Sequence, residues 1–375
     1  MSSLANKYTD TIFRPDNAGE IIESLNTNNI MLGEANLYDL MDVDFLNDNI
    51  EEGLVTVSSC GGLTNYKYSK ITPPYRLWNE VTLRTRGLVV DSSYTIVARG
   101  FNKFFNLSEL PAYGIDVDVN ERGIIMDKLD GSLGLVFYRY GGEWRVSTAG
   151  GFASEQAIHA TKLFNERYAD TPCVPGLTLL VEIIYPENRI VSNYGDLDDV
   201  VLLGGADLNG NWIHPDEIVF PGRKVTHHTG TIKEALSVPD PEDGTEGFVI
   251  KLDSGLLVKV KYPSYLMMHK ARFNLTRKSV LATLRDNSYA EYLMLLPDEF
   301  QDEANSYRDD ILKAYDAISS NLAAIGEQVP VGERKERAIW VNTNVAPSYR
   351  RLAMQAFVAG VDPAEQIWRM IENTL

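Results

Sequence analysis

Residues 123 to 140, GIIMDKLDGSLGLVFYRY, set Lys128, Asp130, Gly131 and Ser132 as a polar island between two apolar runs. An Asp-Gly pair between apolar segments reads as a hairpin turn. A lysine at a strand end among charged groups reads as a nucleophile. By itself a K-x-D-G-S pattern arises by chance on the order of once per hundred chains of this size. Other charged residues in apolar surroundings add weight. Glu182 lies inside LTLLVEIIY, where an unpartnered carboxylate would cost several kcal/mol, so it should meet a hydroxyl, a cation or a metal, or an internal salt bridge. Glu246 directly precedes the apolar run GFVIKL. In GLLVKVKY, strand alternation puts Lys259 and Lys261 on one face and Val258, Val260 and Tyr262 on the other. Two cations side by side repel unless an anion lies between them, or unless that face is simply solvated.

The elements that must position these residues are short and β-rich. Runs at 86 (RGLVVD), 94 (YTIVARG), 123, 133, 144 (WRVST), 177, 199 (DVVLLGG), 247 and 255 alternate with Gly, Asp, Asn and Pro. That texture predicts an α+β fold with antiparallel-rich β-sheets and flanking helices rather than a doubly wound sheet. After Pro263 the period becomes helical, with Ile311, Tyr315, Ile318, Leu322 and Ile325 on one stripe. Asp362, Pro363 and Glu365 resemble a capped helix start leading into Ile367, Trp368, Ile371 and Leu375. The expected division is therefore 1–262 and an all-helical 263–375.

At 375 residues the chain has core enough for both parts. No apolar run is long enough to span a membrane. MSSLANKYTD lacks a signal-peptide pattern, and two cysteines, Cys60 and Cys173, are too few for a disulfide framework. A cytoplasmic protein with no membrane partner is expected. The net charge of −17 argues against a nucleic-acid partner. That average hides an uneven distribution: residues 263–375 hold 13 Lys and Arg against 15 Asp and Glu, and the first 262 hold 22 against 37. From Ser254 to Leu284 there is no acid, while Lys259, Lys261, Lys270, Arg272, Arg277 and Lys278 fall inside, so this window is either an anion site or a solvated face. His227 and His228 adjoin with no third ligand spaced to join them and are expected in a loop; His159 and His214 are expected to be structural. YRRLAMQAF from 349 reads as an amphipathic helix with its arginines in solvent. No Walker loop or dinucleotide fingerprint occurs.

In order, KLDGS at 128, the glutamate of LLVEIIYPENRIV at 182, EGFVIK at 246 and KVK at 259 resemble motifs I, III, IV and V of the covalent nucleotidyltransferases, the superfamily of ATP-dependent ligases and capping enzymes. The flanks TRGLVVD, ARGFNKFFNLSE and EIIYPENRIV resemble the RNA ligase 1 group typified by bacteriophage T4, over roughly residues 66 to 262. The helical C-terminal part agrees with that group in architecture.

The resemblance implies an ATP-dependent RNA ligase that joins 5′-phosphate and 3′-hydroxyl ends of single-stranded RNA, tRNA ends included, as in tRNA repair. ATP would be the AMP donor and magnesium or manganese the metal. A monomeric phage-type enzyme in a host cytoplasm would fit. Lys128 would be the nucleophile and Glu182 would bind ribose. Glu246 would position the metal or the lysine. Lys259 and Lys261 would hold the α-phosphate, with Arg86 and Lys103 on the phosphates or ribose. Gly131 would allow close backbone approach. Leu203 and Val249 would wall the adenine, Phe105 would support the pocket, and Tyr68 would touch the nucleotide. One departure stands out: STAGGF places Ala149 where the family usually carries a basic residue. The rivals are a non-catalytic nucleotide- or RNA-binding protein of the same fold, and a DNA ligase or capping guanylyltransferase. Those two enzymes usually append a β-barrel after KVK, where this chain turns helical. The helical part is a candidate for RNA recognition.

Overall fold

Alternating apolar side chains with Gly, Asn and Asp between them build fourteen strands among the described residues: β1 (Val55–Cys60), β2 (Leu63–Tyr68), β3 (Arg86–Asp91), β4 (Ile96–Arg99), β5 (Phe105–Asn106), β6 (Arg122–Lys128), β7 (Ser132–Arg139), β8 (Glu143–Thr148), β9 (Thr178–Ile184), β10 (Asp199–Ala206), β11 (Trp212–Ile213), β12 (His227–Thr231), β13 (Gly247–Leu252) and β14 (Leu257–Lys261). This computed structural model describes residues 18–25, 31–139, 142–241 and 244–374. The start of the chain and Leu375 lie outside them, as does the side chain of Arg272.

Among the described residues three sheets result, ordered β1-β2-β3-β4, β11-β10-β9-β7-β8 and β12-β6-β13-β14-β5. Every described pairing between these strands is antiparallel except β14 with β5, so the fold is α+β and antiparallel-rich. β1 and β2, absent from the sequence-based expectation, form a hairpin across Gly61-Gly62, a turn signal of the hairpin kind. The hairpin expected at Asp130-Gly131 does not form. β6 and β7 belong to different sheets, so KLDGS carries the chain from one sheet to the next.

The two five-stranded sheets face each other across a core that takes Met126 and Leu257 from one and Leu135, Leu180 and Ala206 from the other. The outer face of the first packs Ile125, Ile250 and Val258 against Trp78, Phe105 and Tyr265. The outer face of the second packs Val136, Val181 and Val200 against Ala160, Leu163 and Phe164 of the helix Glu155–Arg167.

The chain divides into two compact units between His269 and Lys270, rather than at 262. The second unit contains the helices Arg277–Arg285, Tyr289–Leu295, Asp298–Gly326, Arg334–Asn344, Pro347–Ala353 and Ala364–Glu372. Ile311 and Leu322 are buried on the long helix, and Tyr315 packs its ring on Trp368 at 4.5 Å. Of the two arginines expected in solvent in the segment at 349, Arg351 is exposed, whereas Arg350 is half-buried and its Nε donates to Val345 O at 2.9 Å. The Asp362 carboxylate accepts from Ala364 N at 2.9 Å, whereas Glu365 pairs with Arg285 and Arg369 instead of closing a capping box. Among the described residues no helix is long and apolar enough to cross a membrane. Both cysteines are free and exposed.

Candidate active site

Strand register brings the charged residues together. Gly247 of β13 stands opposite Lys128 on β6 and opposite Lys261 on β14, so both lysines flank the residue next to Glu246. Glu246 is 3% exposed. Its Oε2 lies 2.7 Å from Lys128 Nζ and its Oε1 lies 2.9 Å from Lys261 Nζ. One carboxylate thus bridges two ammonium groups. Only glycine fits at 247: φ is +137°, and a Cβ there would lie 2.1 Å from the carbonyl oxygen of Val260.

Glu182, on β9 opposite Leu133, is 8% exposed. Its Oε1 accepts from the backbone N–H of Gly131 at 2.9 Å. Burial pushes its pKa up to about 8; Lys128 opposes this, and the neighbouring Glu246 adds to it. Gly131 does permit a close approach, but of protein backbone: a Cβ would lie 2.6 Å from Ile183 O and 3.2 Å from Glu182 Cγ.

An open cleft of about 840 Å³, bulk solvent at its mouth included, adjoins these groups. Of the expected residues, Arg86, Lys128, Gly131, Glu182, Leu203, Val249, Lys259 and Lys261 line it, and Glu246 anchors two of them from below. The apolar walls expected around a base are present. Phe101, Phe104, Met126, Leu129, Leu133 and Val225 extend them, and none was singled out from the sequence.

Three expected residues are not brought to the cleft. Phe105 is 2% exposed in the core, with its ring 5.5 Å from that of Trp78. Lys103, 6% exposed, holds its ammonium over the rings of Trp78, Phe105 and Tyr68 at 4.8, 5.1 and 5.7 Å. Tyr68 belongs to that aromatic box. Phe104 turns into the cleft, while Lys103 and Phe105 on either side of it face the core. Phe104 instead carries two cations on its ring, the Arg86 guanidinium at 5.0 Å and the Lys259 ammonium at 5.6 Å.

Asp130 of KLDGS is buried and fully used. Its Oδ2 accepts from the N–H groups of Val191 and Ser192 at 2.7 and 2.8 Å, and its backbone N–H donates to the Tyr194 hydroxyl at 2.8 Å. These bonds fix the segment that presents Lys128.

Each oxygen of Glu246 accepts from one ammonium group, which leaves each a further lone pair for a divalent metal. Among the described residues the one three-ligand cluster is His214, Asp216 and His227, none of which lines the cleft. This corrects the expectation that no third group joins His227, which with His228 begins β12 rather than lying in a loop. Local hydrogen bonding accounts for the cluster: His214 Nδ1 accepts from Asp216 N at 3.1 Å, His227 Nδ1 lies 3.2 Å from Val225 O, and His227 Nε2 lies 3.2 Å from Asp216 Oδ2. His159 pairs with Asp198 at 2.6 Å.

The basic window after Tyr262 is not an open anion site either. Lys270 pairs with Glu303 at 2.5 Å, Arg277 with Asp310 at 2.8 Å, and Arg285, just past it, with Glu365. The acids missing from the window arrive from helices much further along the chain.

The sequence profile of the RNA ligase family matches residues 84–270. A protein of Autographa californica nuclear polyhedrosis virus, assigned as a bifunctional polynucleotide kinase/RNA ligase, is 26% identical over 249 residues, covering 58% of this chain and 35% of that protein. A Thermovibrio ammonificans protein assigned as an RNA ligase is 28% identical over 278 residues, covering 69% of this chain and 65% of the other. The chain thus spans about a third and just under two thirds of the length of these relatives. Among solved structures, an archaeal ATP-dependent RNA ligase superposes with a TM-score of 0.42 at 16% identity, over 75% of this chain and 80% of that one.

Proposed function

Residues 84–270 belong to the RNA ligase family, and from that membership we propose that the chain is an ATP-dependent RNA ligase. In this reading it joins the 5′-phosphate and 3′-hydroxyl ends of single-stranded RNA through lysine-adenylate and RNA-adenylate intermediates. The observation that carries it is the Lys128–Glu246–Lys261 bridge at the floor of an apolar-walled cleft.

Lys128 must lose a proton before it can attack, and Glu246 Oε2 at 2.7 Å is the acceptor placed to take it. The free amine then forms the P–N bond to the α-phosphorus of ATP. The bond from that phosphorus to the bridging oxygen breaks, and its electron pair leaves with pyrophosphate. Lys259 and Lys261 hold the α-phosphoryl oxygens, where charge accumulates in the transition state. Glu182, with its pKa near 8, keeps a proton at neutral pH and so donates as well as accepts towards ribose hydroxyls. The base lies between Leu203, Val249 and the other apolar walls. Lys128 then yields AMP to an RNA 5′-phosphate, and a 3′-hydroxyl displaces AMP to seal the strand. Recognition of the RNA, with cleaved tRNA as the candidate, falls to the helical unit.

The test is incubation with magnesium and ATP labelled at the α-phosphate. A covalent adduct is expected, and Lys128→Ala should abolish it; an adduct that survives this change refutes the assignment. Sealing of 5′-phosphorylated single-stranded RNA, set against a nicked duplex and a DNA strand, decides the substrate, and labelled GTP in parallel separates a ligase from a capping enzyme.

A further inference from the structure

Lys67 and Arg86 stand opposite each other in the register of β2 and β3, beside a bulge at Gly87, whose φ is +86°. No carboxylate is paired with either among the described residues. Arg86 Nη1 is buried without a hydrogen-bond partner. Lys67 is half-buried, and its pKa is lowered by burial first and then by Lys70 and Arg86. Cations gathered this way, with no acid among them, are costly in an empty protein and are stabilised by an anion.

The row continues into the cleft, because Arg86 shares the Phe104 ring with Lys259. On β2, Leu63, Asn65 and Lys67 share a face. Leu63 packs with Phe137 of β7, and Asn65 Nδ2 donates to the carbonyls of Thr148 and Ala149 at 3.5 and 3.4 Å. That face therefore leans on the 148–149 turn, where Ala149 brings no charge. Lys259, Arg86 and Lys67 then form a line of positive charge that starts beside Lys128 and runs outward onto β2.

We propose that Lys67, together with Arg86, binds the pyrophosphate portion of ATP and receives it as the leaving group when Lys128 forms its P–N bond. This rests on the reading of the cleft as an ATP site. The outer phosphates carry most of the nucleotide's charge, and once the α-phosphorus to oxygen bond breaks, the added electron pair resides on the group that Lys67 and Arg86 hold.

The full-length protein is compared with Lys67→Ala and Lys67→Arg in three assays: adduct formation against ATP concentration, discharge of the adduct by added pyrophosphate, and sealing of RNA already adenylated at its 5′ end, a step that involves no pyrophosphate. Lys67→Ala should need at least about ten-fold more ATP and about ten-fold more pyrophosphate for half-maximal effect, as loss of one charge-assisted contact implies. Lys67→Arg should recover most of that, and the alanine variant's loss on pre-adenylated RNA should stay within about two-fold. Unchanged ATP and pyrophosphate dependence overturns the proposal, and so does an equal loss on pre-adenylated RNA, which would mark a structural role. A wild-type protein that forms no adduct overturns the ligase reading itself and this subsite with it.

Discussion

Asp130 Oδ1 accepts a 2.8 Å hydrogen bond from the hydroxyl of Tyr265, 135 residues further along the chain, and both side chains are buried. With Val191 and Ser192 on its other oxygen, the aspartate two residues from Lys128 ties three distant segments together.

Tyr265→Phe should lower stability by about 1–2 kcal/mol, since it removes one buried donor and leaves the shape intact. Asp130→Asn should cost more, about 2–3 kcal/mol, because an amide has a single acceptor oxygen to offer three donors. Urea unfolding of both variants checks the order; an asparagine variant as stable as wild type would remove the clamp from the account.

Glu246→Gln should destabilise by about 3 kcal/mol, because it leaves two poorly exposed ammonium groups facing each other. Adding Lys261→Met should restore part of the loss without restoring adduct formation. Thermal melts combined with the labelled-ATP assay separate the two effects.

Glu182 makes stability depend on pH. It is held as the acid up to about 8 in the folded chain, against an ordinary value of 4.5, so between those values the native state binds a proton that the unfolded state has released. Stability should therefore fall as pH rises through that range and level off above it. Glu182→Gln should flatten the slope. Urea midpoints at several pH values give the comparison, and parallel curves for the two proteins would count against it.

Gly247→Ala should cost more than about 3 kcal/mol or prevent folding, since strain at φ +137° adds to a Cβ placed 2.1 Å from a carbonyl oxygen. Gly62→Ala provides the contrast: φ is +79° with nothing within 4 Å, so about 1 kcal/mol of strain alone is expected. Soluble yield and urea midpoints of the two variants decide it.

The longer strands from β3 on, β12 apart, and the charged residues Glu182, Lys259 and Lys261 were legible because apolar runs with single acids or lysines leave few alternatives. Alternation alone put Lys259 and Lys261 on one face. What sequence could not supply was pairing. Asp130-Gly131 looked like a hairpin because the local signal of a tight turn is the same whether the next strand stays in the sheet or leaves it. The basic window looked open because its acids lie at Glu303, Asp310 and Glu365. Phe105 was carried by the resemblance as support for the pocket, and nothing in the sequence marked its neighbour Phe104 as the ring that enters the cleft. Lys67 escaped notice with β2, although Gly61-Gly62 between VTVSSC and LTNYKY was a usable hairpin signal.

The passage of KLDGS from one sheet to the other makes Leu129, Asp130 and Gly131 a tether of fixed length. Lys128 ends a strand on one side and Gly131 grips Glu182 on the other, so the spacing between the Lys128 ammonium and the Glu182 carboxyl is set by three residues. A single residue inserted there would leave each sheet's own pairing intact, yet move the two halves of the cleft and their charged groups out of step by roughly the 3.3 Å rise of one extended residue.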